Sequence, residues 1–220
     1  MNLKAKINKS AWTRYKESLK YALYIMTHPF DGFWDLTHEK RGSMAAANTL
    51  LILTFLTNLW AMRFTNFMFN DVRWERVNIW SQVAGILAPL LLYVVANWCL
   101  TTLFDGKGRM KDVYMGMCYS LTPYILITNP ITIISNFVTM EEGAFLAYFD
   151  YLALGWAFCL ILISVMQIHD YSLGKAIMAI LFSAVGMMII VFLVMLFFSL
   201  VSDAIAFFIS IGKEILLRVY

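Results

Sequence analysis

The sequence predicts an all-α polytopic membrane protein, a bundle of five transmembrane helices with an amphipathic interfacial helix at its N-terminus. Three observations predict it. Hydrophobic residues make up 61% of the 220-residue chain and charged residues 14%, with mean hydropathy +0.70; soluble domains run nearer about half apolar and about a quarter charged. The apolar residues collect in five runs of about 25 residues, each long enough to cross a ~30 Å hydrocarbon core with some tilt. None of the runs alternates with period two, which argues for helices and against a barrel.

Residues 1–43 form a basic segment ahead of the first run. From Ser10 to Met26 it reads as an amphipathic helix: Trp12, Tyr15, Leu19, Leu23 and Met26 recur at spacings of three and four, while Arg14, Lys16, Glu17 and Lys20 fall on other faces. Such a helix rests on anionic lipid or packs against the ends of the bundle, and both readings stay open. His28-Pro29 should end it, because the residue before proline is pushed out of the helical region. Phe30, Phe33 and Trp34 then supply an interfacial aromatic cluster. The segment has no apolar stretch or small-residue site suited to a signal peptide, so no cleavage is expected.

The five spans run from Met44 to Phe69, Asn78 to Phe104, Val113 to Thr139, Ala144 to Ile168 and Ala176 to Val201. Their connections are too short for a second folded domain, so residues 44–202 are expected to be one membrane domain. The last apolar run continues to Ile211, which would make a helix of ~54 Å, well beyond the bilayer core. A break is therefore expected near Ser202-Asp203. Residues 203–220 would then be a separate interfacial helix with Asp203, Ser210, Lys213, Glu214 and Arg218 as its wet stripe.

Basic residues orient the bundle. One side carries Lys4, Lys6, Lys9, Arg14, Lys16, Lys20, Lys40, Arg41, Lys107, Arg109, Lys111 and Lys175; the other carries Arg73, Arg76, Lys213 and Arg218. The richer side belongs in the cytoplasm. The N-terminus is then cytoplasmic and, with five spans, the C-terminus extracytoplasmic.

Polar groups within the spans are the candidates for chemistry. Arg63 falls ~28 Å along the first span and Asp150 about 9 Å into the fourth from the same outer side, so an Arg63–Asp150 ion pair is geometrically open, beside a reading in which each meets water. Pro89, Pro123 and Pro130 are expected to kink the second and third spans. Asn97, Ser120, Thr122 and Asn129 read as interhelical glue, or as the lining of a path if the protein transports something. Cys99, Cys118 and Cys159 read as buried free thiols. The Asp105–Asp112 loop, with Gly106 and Gly108 beside Lys107, lacks the Walker spacing and reads as a tight turn. His28, His38 and His169 share no ligand spacing and read as solvated loop histidines, so neither a metal nor another cofactor is expected. No nucleophile elbow, zinc-binding helix or dinucleotide fingerprint is present in the sequence, which argues against catalysis.

The order of four segments carries a resemblance. His28-Pro-Phe-Asp-Gly-Phe-Trp-Asp-Leu-Thr-His-Glu-Lys-Arg-Gly-Ser43 precedes the first span, and Asn97-Trp-Cys-Leu-Thr-Thr-Leu-Phe-Asp-Gly-Lys-Gly-Arg-Met-Lys-Asp-Val-Tyr114 closes the second. Tyr119-Ser-Leu-Thr-Pro-Tyr124 and His169-Asp-Tyr-Ser-Leu-Gly-Lys175 follow. Together they resemble the bacterial branch of the Yip family, the Ypt/Rab-interacting membrane proteins built on the Yip-one domain. The resemblance implies five spans, a bacterial cell membrane, and a non-catalytic scaffold or adaptor. The acidic N-terminal region and Asp-Leu-Tyr-Gly-Pro signature of the eukaryotic branch are missing, so GTPase binding is not carried over. Trp12, Trp34, Asp105, Lys107, Arg109, His169 and Asp170 are the candidate partner-binding residues on the cytoplasmic face. Expected partners are the lipid bilayer and other membrane proteins or a second copy, with no nucleic acid. The alternative function is a small permease or an accessory subunit of a transporter complex.

Overall fold

In the computed structural model, residues 3–70, 77–104 and 106–219 are described. They form α1 (Leu3–Thr27), α2 (Pro29–His38), α3 (Met44–Phe64), α4 (Ile79–Leu103), α5 (Met110–Ser120), α6 (Thr122–Ile134), α7 (Gly143–His169) and α8 (Leu173–Val219), with a 3-10 turn at Met140–Glu142. Five segments are long and apolar enough to span a bilayer: Met44–Phe64, Ile79–Thr102, Met110–Ile134, Met140–His169 and Leu173–Glu214. The protein is an all-α, multi-pass membrane protein. In the interior, α3, α5, α6 and α7 pack on one another, while α4 and α8 pair along one flank and join through α5 and α7.

The third span is two helices. Pro123 has no N–H to offer the Tyr119 carbonyl one turn earlier, and the chain leaves the helix at Leu121. The Thr122 hydroxyl donates to that carbonyl at 2.6 Å and so replaces the missing bond. Pro123 thus opens α6 within its first turn, a position that suits proline. Pro89 and Pro130, by contrast, lie inside helices that continue through them.

The expected break near Ser202-Asp203 is absent: α8 continues through it as one helix of 47 residues. Length alone suggested the break, and length does not break a helix. Serine and aspartate cost only about 0.5 kcal/mol each in a helix interior. No neighbour pulls the far half aside either, since from Val191 to Glu214 every side chain is exposed to the surroundings of the bundle. At 1.5 Å per residue α8 is ~70 Å long, so it tilts steeply or projects beyond the bilayer core. Its first half packs on α4 through Ser183 and Gly186 and against Val165 of α7 through Ala176 and Ala179, small residues at helical spacing that let backbones approach.

At the N-terminus, helix α1 ends where proline dictates, with His28 out of the helical region at φ −128°, ψ 69°. The predicted stripe turns inward only in part: Tyr15 and Leu19 pack against the core. Ser18, Ala22 and Ile25 are buried, whereas Trp12 and Leu23 are more than half exposed. Small side chains let α1 sit close to its neighbours around Ile25, while Trp12 and Leu23 point away from the protein. Phe33 and Leu36 of α2 complete the seal. The phenol of Tyr21 donates to Asp35 at 3.0 Å, and Asp35 also pairs with Arg41 at 3.4 Å. Burial first, then the Asp35 carboxylate, holds the Tyr21 hydroxyl well above its ordinary pKa, so it remains a donor. The segment is joined to the bundle as a fixed layer.

Candidate functional site at the basic end

The starts of α3, α5 and α8 and the ends of α4 and α7 meet at one end of the bundle, beneath α1 and α2. Here the chain between α4 and α5 folds back on α7. The Gly106 N–H donates to the Thr101 carbonyl at 2.7 Å. Gly108 donates to Nδ1 of His169 at 3.3 Å, and Nε2 of His169 lies 3.3 Å from Oδ1 of Asn97. Since Nδ1 accepts and the amide oxygen of Asn97 can only accept, the proton sits on Nε2 and the ring is neutral. Asn97 in turn donates to the Ser183 hydroxyl at 3.0 Å, so one chain of bonds ties α8, α4, α7 and the loop together.

The expectation of a solvated loop histidine is overturned for His169, which is 1% exposed. It stacks on Tyr171, whose hydroxyl donates to the Phe104 carbonyl at 3.0 Å. His28 and His38 are exposed, stacked on Tyr24 and Trp34 respectively. Both glycines of the loop are required by close approach. An added Cβ would lie 2.8 Å from Nδ1 of His169 at Gly106 and 2.7 Å from Cε1 at Gly108. Neither glycine has positive φ.

Above this clamp opens a cleft of about 440 Å³, walled by the chain between α2 and α3, the first turn of α5 and the α7–α8 turn. Lys107 pairs with Asp170 at 2.9 Å across it. Asp112 accepts the backbone N–H of Arg109 at 3.2 Å and so caps α5. Among the described residues, Lys40 at φ 53° and Asp170 at φ 55° are the non-glycine residues with positive φ, and both line this cleft. Left-handed backbone at such residues costs about 1–3 kcal/mol, held in place by the surrounding structure.

Of the remaining sequence candidates, Trp12 and Trp34 are exposed on the outer side of α1 and α2. Lys107, Arg109 and Asp170 line the cleft, with His169 under it. Asp105 lies outside the described residues. Arg63 and Asp150 are at the opposite end and are not joined among the ion pairs of the described residues; Asp150 lines a cavity of about 220 Å³ there with Thr65, Thr128 and Ser135. Cys118 is buried, but Cys99 and Cys159 face outward, so the expectation of three buried thiols holds for one.

Lys40 and Tyr119 were missed by sequence reasoning. Lys40 had only its charge to mark it. Tyr119 lies wholly buried, 2.7 Å from Oγ of Ser18, donating to the Ser18 carbonyl at 3.1 Å and accepting from Ser43 N–H at 3.5 Å. It fastens α1 and the start of α3 to α5. Replacing Tyr119 by phenylalanine should cost about 1–3 kcal/mol, because buried Ser18 and the half-buried Ser43 N–H lose their bonds. In detergent the apparent melting temperature should fall by about 2–12 °C. A Tyr119→Phe variant that melts with the wild type would show that the hydroxyl carries no part of this joint.

The four side chains that a transport path would need are engaged elsewhere. Ser120 donates to the Gly116 carbonyl and Thr122 to that of Tyr119. Asn129 donates to Thr57 and to the Ile125 carbonyl, and Asn97 is held as described.

No curated protein and no solved structure matches the chain. A family model does: the Yip1 domain matches residues 23–209, from the end of α1 to the far half of α8. That match takes in the layer of α2, the clamped loop, four spans and most of the fifth, and the chain therefore belongs to the Yip1-domain family.

Proposed function

We propose that the protein is a non-catalytic scaffold of a bacterial cytoplasmic membrane, which recruits partners at its basic end, and that this end faces the cytoplasm. One observation carries the reading: the N-terminal segment is fixed to the bundle through Ser18, Ala22, Ile25 and Tyr119, yet leaves Trp12, Leu23, Phe30 and Trp34 outward. A rigid layer with aromatic anchors beside a charged cleft suits recognition, because little ordering entropy is left to lose on binding. The polar side chains of the spans are largely used in bonds between and within helices, which fits a structural membrane domain. The excess of basic residues supports the cytoplasmic placement of that end.

The test is photocrosslinking in cells, with a photoreactive residue at Trp34 or Arg109 and, as control, at Phe137 near the opposite end. Discrete protein adducts from Trp34 and Arg109, absent at Phe137, are expected. Adducts at neither basic-end position, or the same adducts at all three, would sink the recruiting role. Labelling of single introduced cysteines from outside the cell checks orientation separately, and Arg109→Cys should be protected until the membrane is permeabilised.

A further inference from the structure

The geometry points to the cleft between Lys40, Arg109 and Lys111 as a binding site for a phosphate-bearing anion. The cations that line it divide into two kinds. Lys107 is already neutralised by Asp170. Lys40, Arg109 and Lys111 form no ion pair among the described residues and stand exposed around one opening. Of the acids in the wall, Asp170 is paired with Lys107, while Asp112 accepts the Arg109 amide and keeps its charge, so cations outnumber anions around the opening.

Beneath the opening, α5 begins at Met110. The first amides of a helix have no partner within it and carry the positive end of its dipole. A guanidinium, two ammonium groups and a helix start around a single cavity match the several acceptor oxygens of a phosphate better than one carboxylate. The volume, about 440 Å³, suits a headgroup or a small phosphate ester. One wall of the site is braced: Gly108 is tied to buried His169. Met44, exposed in the cleft wall, adds apolar surface beside the charge, as a membrane-embedded ester would require. The site does not depend on the recruiting role, because a phosphate can occupy it with or without a docked protein.

The experiment is a titration of the full chain in neutral detergent, followed by native mass spectrometry. The probes are short-chain phosphatidylglycerol, short-chain phosphatidylcholine, glycerol 3-phosphate and inorganic phosphate. A variant with Lys40→Gln, Arg109→Gln and Lys111→Gln is compared with one carrying Lys16→Gln, Lys20→Gln and Lys175→Gln, which removes equal charge away from the cleft. Phosphatidylglycerol affinity is expected to fall at least about tenfold in the first variant and less than about twofold in the second. Lys111→Gln alone should give an intermediate loss, which guards against a general effect of the triple change on folding. If glycerol 3-phosphate or inorganic phosphate shows the same variant dependence, the ligand is soluble; if only the lipid does, it is a headgroup. Equal losses in the two triple variants, or no binding of any anionic probe, would overturn the site.

Discussion

Replacing His169 by alanine is expected to lower the apparent melting temperature in detergent by roughly 6–15 °C, corresponding to about 3–5 kcal/mol. Two costs add. The ring is 1% exposed, so its removal leaves a hole between α4, α7 and the Gly106–Gly108 turn. It also leaves the Gly108 N–H and the Asn97 amide oxygen without their partner in a place water reaches poorly. The comparison that isolates the cause uses the other histidines. His28 and His38 are exposed and stacked on neighbouring rings, and their alanine variants should stay within about 0.5 kcal/mol of the wild type. Three equal effects, measured as protein remaining monodisperse after heating, would mean that His169 does not hold the loop.

That contrast shows where sequence reasoning reached its limit. Five spans are legible because lipid enforces long apolar runs, whatever the packing. The fate of His169 is not, because burial there depends on a loop sixty residues earlier closing over it. The same holds for α1. At an interface a helix meets apolar surroundings on two sides, bundle and lipid, so hydropathy marks Trp12 and Leu23 without saying which side they face. Position around the helix decides instead: the face of Ser18, Ala22 and Ile25 meets the bundle, and Trp12 and Leu23 fall outside it. For α8, the absence of a break was not legible. Nothing local at Ser202-Asp203 forces the chain either way. At Pro123 local chemistry was decisive and the kink it suggested became a full interruption, because Thr122 stands ready to take the freed carbonyl.

The loop can be attacked from its other side. Gly108→Val should destabilise by about 3 kcal/mol, at the upper end of overpacking costs, since the Cβ alone would meet Ile168 and come within 2.7 Å of Cε1 of His169 before the branched carbons are placed. Gly155, on α7, has nothing within 4 Å of an added Cβ, and Gly155→Val should leave stability nearly unchanged. Because φ at Gly108 is not positive, the whole penalty is steric, so it should depend on what lies opposite. Combining Gly108→Val with His169→Ala therefore tests the contact itself. The valine can occupy part of the space the imidazole leaves, and the double variant should be more stable than the sum of the two losses predicts, by about 1 kcal/mol or more. Strict additivity in thermal or steric-trap unfolding would mean that the glycine and the histidine do not touch, and the clamp that shapes the basic cleft would fall with it.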